Sequence, residues 1–246
     1  MFDYRARAVL LDIEGTTTSI SFVKDELFPY AIEHAKEFLD ETWEDATTKE
    51  VVNNLQVLNE FNEFKQNTNE DSLDISSKII ADFVKYLTDL DLKLGPFKTL
   101  QGMIWKKGYE DGKLKGHLFD DCFSAFFNWN SVDLNVAIYS SGSVAAQKLL
   151  FSHSVSGDLS PVISHYFDTT IGNKRVPESY IQIAKEMGLV IREIVFLTDV
   201  WEEAKAAKQA GMQVIIMLRP GNAPLTEQQL KGFDTATNFL EFKIFP

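Results

Sequence analysis

Four short polar clusters in this chain carry the residue types that phosphoryl transfer needs. The first is Asp12-Ile13-Glu14-Gly15-Thr16, in which two acids stand two residues apart and a glycine permits a sharp turn. Acids so placed can divide labour, one attacking phosphorus and the other handling the proton of the leaving oxygen. The second is Tyr139-Ser140-Ser141-Gly142-Ser143, where small hydroxyls and backbone amides before a helix make an anion cradle. The third is Lys174, in Gly172-Asn173-Lys174-Arg175, a point charge able to hold a phosphoryl group. The fourth is Thr198-Asp199-Val200-Trp201-Glu202-Glu203. There Asp199 could join Asp12, a backbone carbonyl, water and a phosphate oxygen in an octahedral oxygen site suited to Mg²⁺. Each cluster alone has a plainer reading: an acidic turn, a Ser143 N-cap, a surface lysine, an Asp199 N-cap. The argument lies in their combination and order.

What must position them is a parallel sheet. Ala8 to Asp12, Leu134 to Tyr139, Ile194 to Leu197 and Val214 to Met217 are short, almost wholly apolar runs. Runs of this kind suit strands buried on both faces. Helical patterns at Val144–Phe151, Ser179–Met187 and Trp201–Ala210 alternate with them, and Gly211 supplies a stop for the last. The expected fold is α/β, a doubly wound and mostly parallel sheet whose ligands bind beyond the carboxyl ends of its strands. Three of the clusters directly follow such runs.

Residues 21–115 read differently. They offer no strand but give amphipathic stretches at Phe22–Phe38, Glu50–Phe64 and Ile75–Leu90, with Pro29 expected to kink or break the first. The polar stretch Gln66–Ser72 reads as a loop. The expected organisation is an α/β core, 1–20 with 116–246, interrupted by an all-helical lobe, 21–115.

Composition narrows the partners. The 246 residues hold 24 basic and 36 acidic side chains, a formal net charge of -12, which disfavours nucleic acid and anionic lipid as partners. A bound cation and one lysine can still make a small cleft attractive to an anion. Cys122 is the only cysteine, so no intrachain disulfide can form and a cytoplasmic setting is expected, with nuclear entry left open. No apolar stretch approaches the roughly 18 residues of a membrane span. The four histidines show no zinc spacing, and Gly108–Leu114 fails as a phosphate-binding loop because its glycines are one residue too close.

The order nucleophile, hydroxyl, lysine, acid resembles the signature of the haloacid dehalogenase superfamily, whose phosphatases usually carry D-x-D-G-T. Here Glu14 stands in place of the second aspartate. Asp-Ile-Glu-Gly-Thr followed by Ile20-Ser21-Phe22-Val23 and Leu27-Phe28-Pro29-Tyr30 resembles the acireductone synthases, the enolase-phosphatase family of methionine salvage. Gln101-Gly102, Trp105, Gly108-Tyr109, Gly112, the run Ile138–Val144, Gln147–Phe151, Lys174 with Ser179-Tyr180, Phe196–Asp199 and Arg219–Asn222 extend the likeness from about Ala8 to Pro224.

The resemblance implies that Asp12 is nucleophile and metal ligand. It makes Glu14 the acid/base, with its backbone carbonyl on the metal. Ser140, Ser141 and Lys174 would bind the substrate phosphate, Asp199 would be a metal ligand, and Glu203 would support the metal through its water shell. It further implies one Mg²⁺ per chain, a small phosphorylated diketone as substrate and a helical cap. A monomer is expected. A sugar phosphatase of the same superfamily, a dehalogenase and a non-catalytic relative are the competing readings. The residues around Trp105 and Tyr109 weigh against the first, and the full set of site residues against the others.

Overall fold

The computed structural model describes residues 2–68 and 74–246. Its main sheet has six strands, all parallel, in the order β4-β3-β2-β5-β6-β7. These are β2 (Ala8–Leu11), β3 (Asn135–Tyr139), β4 (His165–Phe167), β5 (Ile194–Thr198), β6 (Gln213–Met217) and β7 (Asp234–Ala236). The four apolar runs of the sequence are the four inner strands. The edge strands β4 and β7 have three residues each, too few for an apolar pattern to stand out. A separate parallel pair joins β1 (Phe2–Arg5) to β8 (Phe242–Phe245), which the sequence did not suggest.

β2 and β5 are buried along their whole length. On one face of the sheet Leu10, Tyr139, Phe196 and Ile216 pack with Tyr180, Ile183, Ala204 and Ala207. The last four come from α9 (Pro177–Glu186) and α10 (Trp201–Ala210). Gly211 ends α10 as expected, at φ +103°, and its N–H donates to the carbonyls of Ala207 and Lys208. Ser143 caps α8 (Val144–Ser152), its hydroxyl accepting from the Ala146 N–H at 3.3 Å. A further helix, α7 (Asp120–Ser131), escaped the sequence reading.

The chain divides into two compact units, Met1–Val23 with Lys115–Pro246, and Lys24–Leu114. Every regular element described in the second is helical, and the unit has its own core. The expected helix over Phe22–Phe38 is three pieces: α1 (Ile20–Phe22), a π-helical turn (Val23–Leu27) and α2 (Phe28–Thr42). Pro29 lies in the first turn of α2, where its missing N–H costs nothing. The expected helix over Glu50–Phe64 is two, α3 (Ala46–Gln56) and α4 (Asn59–Thr68). Phe61 lies six positions beyond Leu55, which would put them on different faces of one continuous helix. Breaking at Val57-Leu58 lets both reach the same core.

The third expected helix is α5 (Ser77–Asp89), capped by Ser76. In the stretch read as a loop, Gln66–Thr68 belong to α4, and the remainder lies outside the described residues. α6 (Gly95–Glu110) completes the unit. At its centre the fully buried Phe83 ring meets Phe61 and Phe64, with centroids 4.9 and 5.3 Å away.

Because that ring has no solvent to relax into, Phe83→Ala should destabilise the helical unit by about 3–5 kcal/mol. Urea denaturation followed by circular dichroism would measure it. A loss below about 1 kcal/mol would mean that the unit's core is not closed around Phe83.

Candidate active site

Four neighbouring strands of the first unit deliver the candidate residues at one end of the sheet. Asp12 follows β2, Ser140 and Ser141 follow β3, Lys174 follows β4, and Thr198 and Asp199 end or follow β5. Leu11 lies level with Ile138 on one side and Leu197 on the other, so Asp12 stands level with Tyr139 and Thr198. The chain crosses from β2 to neighbours on opposite sides here, the point where an open α/β sheet leaves a crevice.

Asp12 is buried, and its N–H donates to the Leu197 carbonyl at 3.0 Å. Its Oδ1 accepts from the Ile13 N–H at 2.8 Å and from the Lys174 ammonium at 2.6 Å. Its Oδ2 accepts from the Thr198 hydroxyl at 3.3 Å. The same ammonium lies 2.7 Å from Glu203 Oε2, and Thr198 Oγ1 lies 3.1 Å from that oxygen. Lys174 is thus shared by two carboxylates inside the protein. Burial alone would lower its pKa, but the charges of Asp12 and then Glu203 outweigh it and push it up to about 12. The lysine is therefore a fixed cation.

Asp199 is the residue the local geometry leaves unsatisfied. It does not cap α10, whose cap position is taken by Val200 without any side-chain bond. Its carboxylate packs instead on the backbone of Gly15, where a Cβ would lie 2.3 Å from Asp199 Oδ2. Gly15 also has φ +72°, so both its conformation and its neighbour require glycine. Among the described residues Asp199 Oδ1 is buried with no hydrogen-bond partner. Burial, reinforced by Asp12, pushes Asp199 up to about 7. Burial and then Asp12 also push Glu203 up to about 7.

Three buried or half-buried acids here face one ammonium, an excess of negative charge. A divalent cation would offset it, and every nearby donor is an oxygen, which favours Mg²⁺ over softer metals. Among the described residues no three His, Cys, Asp or Glu side chains form a ready metal cage. A cation held here would take only some of its ligands from side chains and the rest from a carbonyl, water and substrate.

Glu14 is exposed at the turn after β2, where the Gly15 N–H donates to the Thr18 carbonyl at 2.8 Å. Ser140 is buried and its hydroxyl accepts from the Gly142 N–H at 3.2 Å, while Ser141 is exposed. Gln147 fastens this turn, its amide donating to the carbonyls of Gly142 at 2.8 Å and Phe167 at 2.9 Å.

Two sets of contacts carry no signal of their own in the sequence. Glu203, expected to support a metal through its water shell, contacts Lys174 and Thr198 directly. Arg219 and Asn222, beyond β6, hold the turn that carries Glu14. Asn222 Nδ2 donates to the Gly15 carbonyl at 2.8 Å, and Arg219 Nε to that of Thr16 at 2.9 Å. The guanidinium lies between the rings of Phe119 and Phe239, at 4.5 and 4.4 Å, with Asp121 Oδ2 2.9 Å from Nη2. The signal was a polar cluster after a fourth apolar run, and nothing in the run itself reveals what the arginine holds.

Comparison with known proteins places the chain in a family. A family model described as haloacid dehalogenase-like hydrolase matches residues 6–211. Enolase-phosphatase E1 of Drosophila mojavensis is 51% identical over 97% of this chain and 95% of its own. The Drosophila melanogaster protein of the same name is 49% identical over 95% and 91%. Among solved structures, the UTR4 protein of Saccharomyces cerevisiae superposes with a TM-score of 0.76 at 31% identity, covering 95% of this chain and 98% of that one. With the model spanning most of its length and relatives at half identity, the chain belongs to the haloacid dehalogenase-like hydrolases and, within them, to the enolase-phosphatase E1 family.

Proposed function

We propose that this hydrolase converts 2,3-diketo-5-methylthiopentyl 1-phosphate to the acireductone and phosphate in methionine salvage, through an aspartyl-phosphate on Asp12. The name and near-full-length likeness of its relatives support the reaction. The observation that carries the mechanism is the state of Asp12. Its Oδ1 is held by Lys174 and the Ile13 N–H, and its Oδ2 has one long bond from Thr198. A carboxylate so oriented keeps an oxygen for attack while an adjacent cation offsets charge on the incoming phosphoryl group.

In this reading Asp12 Oδ2 forms a bond to phosphorus as the bond to the leaving enol oxygen breaks. Glu14, exposed two residues further along the chain, gives that oxygen a proton. The base form of Glu14 then takes a proton from the water that cleaves the aspartyl-phosphate, restoring the aspartate and releasing phosphate. Lys174, with Ser140 and Ser141, binds the phosphate oxygens. Asp12, Asp199 and the Glu14 main-chain carbonyl would hold one Mg²⁺, which supplies Lewis acidity to both the enolisation and the hydrolysis. The extra methylene of Glu14, relative to aspartate, suits it to a second proton transfer in enolisation. The helical unit, Lys24–Leu114, serves as a cap that excludes water during turnover. No described helix is long and apolar enough to cross a membrane. A single, buried cysteine suits a reducing compartment, and we assign the chain to the cytoplasm as a monomer.

Asp12→Asn should abolish phosphate release with the fold retained, because an amide is a poor nucleophile and no other carboxylate takes its place. Turnover above about a tenth of wild type would exclude the covalent role. The metal has its own test. Mg²⁺ should raise the melting temperature of chelator-treated protein, and Asp199→Asn should remove that rise. Ca²⁺ should fail to restore activity, since its longer bonds misplace the phosphoryl group. Equal stabilisation of wild type and Asp199→Asn would place the metal elsewhere.

Glu14→Gln separates the two halves of the reaction. If Glu14 serves both, enolisation and phosphate release should each slow on the order of 10²–10⁴-fold. If it serves only hydrolysis, the enol phosphate should accumulate, which early quenching and separation of phosphorylated from free enol would reveal. Near-wild-type rates in both steps would remove Glu14 from the mechanism.

A further inference from the structure

Lys174 reaches the site from a loop with no regular structure, between β4 and α9. A lysine has four freely rotating side-chain bonds, so its ammonium is placed only as well as its backbone is held. Three consecutive main-chain carbonyls of that loop are each met by a side-chain hydroxyl. Tyr139 donates to the Gly172 carbonyl at 2.9 Å, Ser179 to that of Asn173 at 2.7 Å, and Tyr180 to that of Lys174 itself at 2.6 Å. We infer that Tyr139, Ser179 and Tyr180 are positioning residues for Lys174, a hydroxyl clamp that fixes where its ammonium stands between Asp12 and Glu203. The inference deepens the proposed function, resting on the phosphate-binding role given there to Lys174.

The surroundings of the three hydroxyls fit this task. Ser179 and Tyr180 lie in the first turn of α9, and Tyr139 ends β3, so the loop is tied to two rigid elements. Tyr139 directly precedes Ser140, and its ring lies 5.5 Å from the Lys174 ammonium. One residue therefore links the lysine to the serine turn across neighbouring strands. Both phenols stay protonated donors, because burial pushes each of them up. The clamp also explains a glycine. Gly172 has φ +147°, and a Cβ there would lie 2.2 Å from Ser179 Oγ, so any side chain would expel the hydroxyl from its place. The Tyr180 ring packs against Tyr139 and Phe196, with centroids 5.7 and 5.2 Å away. Tyr180→Phe can thus remove the hydroxyl and keep the packing.

The test uses full-length ¹⁵N-labelled protein and inorganic phosphate with Mg²⁺. The Lys174 ammonium resonance is identified as the one missing in Lys174→Met. Tyr180→Phe and Ser179→Ala should shift or broaden it. Both should weaken phosphate binding about three- to tenfold by calorimetry, the worth of one neutral hydrogen bond. The Mg²⁺ affinity should stay within about twofold, because the loop carries none of its proposed ligands. An unmoved resonance with unchanged phosphate affinity would overturn the clamp, even if melting temperature fell, since the hydroxyls would then only satisfy buried carbonyls. A moved resonance without weaker phosphate binding would also overturn it, provided Lys174→Met itself loses the phosphate. If Lys174→Met binds phosphate normally, the role proposed for the lysine fails, and the resonance alone still decides whether the hydroxyls position it.

Discussion

One ammonium shared by two buried carboxylates is the contact on which the rest of this site depends. Lys174 lies 2.6 Å from Asp12 and 2.7 Å from Glu203, all three shielded from water. Ions are costly to bury, and removing one partner of such a group leaves the others uncompensated. The arrangement is therefore held from many sides. β2 fixes Asp12, α10 brings Glu203, Thr198 bonds to both acids, and three hydroxyls hold the loop behind the lysine. Each contact is modest alone, and together they limit the ways in which the charges can rearrange.

The same charges bear on what the site could bind. With Asp199 included, the acids outnumber the cation, and burial, reinforced by Asp12, pushes Asp199 up to about 7. Its packing on Gly15 is too close to tolerate any side chain at that turn. The protein has thus brought a carboxylate whose Oδ1 has no hydrogen-bond partner among the described residues against the residue that follows Glu14. A group arranged this way is stable only protonated or beside a cation. That makes the oxygen-rich crevice a fit for Mg²⁺ on electrostatic grounds that stand apart from any relative.

Legibility in the sequence followed the scale of the physics involved. The inner strands were readable because burial on both faces demands uninterrupted apolar runs, as in Val9–Leu11 and Val195–Leu197. The edge strands and the β1–β8 pair were not, since three or four half-exposed residues leave no such constraint. The helical unit was recognised as helical, but its breaks were misplaced. The division at Val57-Leu58 is forced by the angular mismatch between Leu55 and Phe61, and no proline or glycine announces it. At the site, residue types at strand ends pointed to Asp12, Glu14, Ser140, Ser141, Lys174 and Asp199. What sequence could not give was connection: that Glu203 contacts the lysine, or that Arg219 and Asn222 hold the carbonyls of Thr16 and Gly15.

Those connections bear on how one turn could serve two reactions. Gly15 and Thr16 are held through their carbonyls by side chains arriving from beyond β6, and the turn's backbone is closed by the bond from Gly15 to Thr18. The main chain that follows Glu14 is thereby fixed, while Glu14 itself is exposed. A rigid carbonyl suits a metal, which requires constant geometry. A longer, exposed carboxylate suits proton transfers at two different atoms of one substrate. In the proposed mechanism, glutamate in place of aspartate at this position would leave the main-chain carbonyl unchanged and lengthen the reach of the carboxylate.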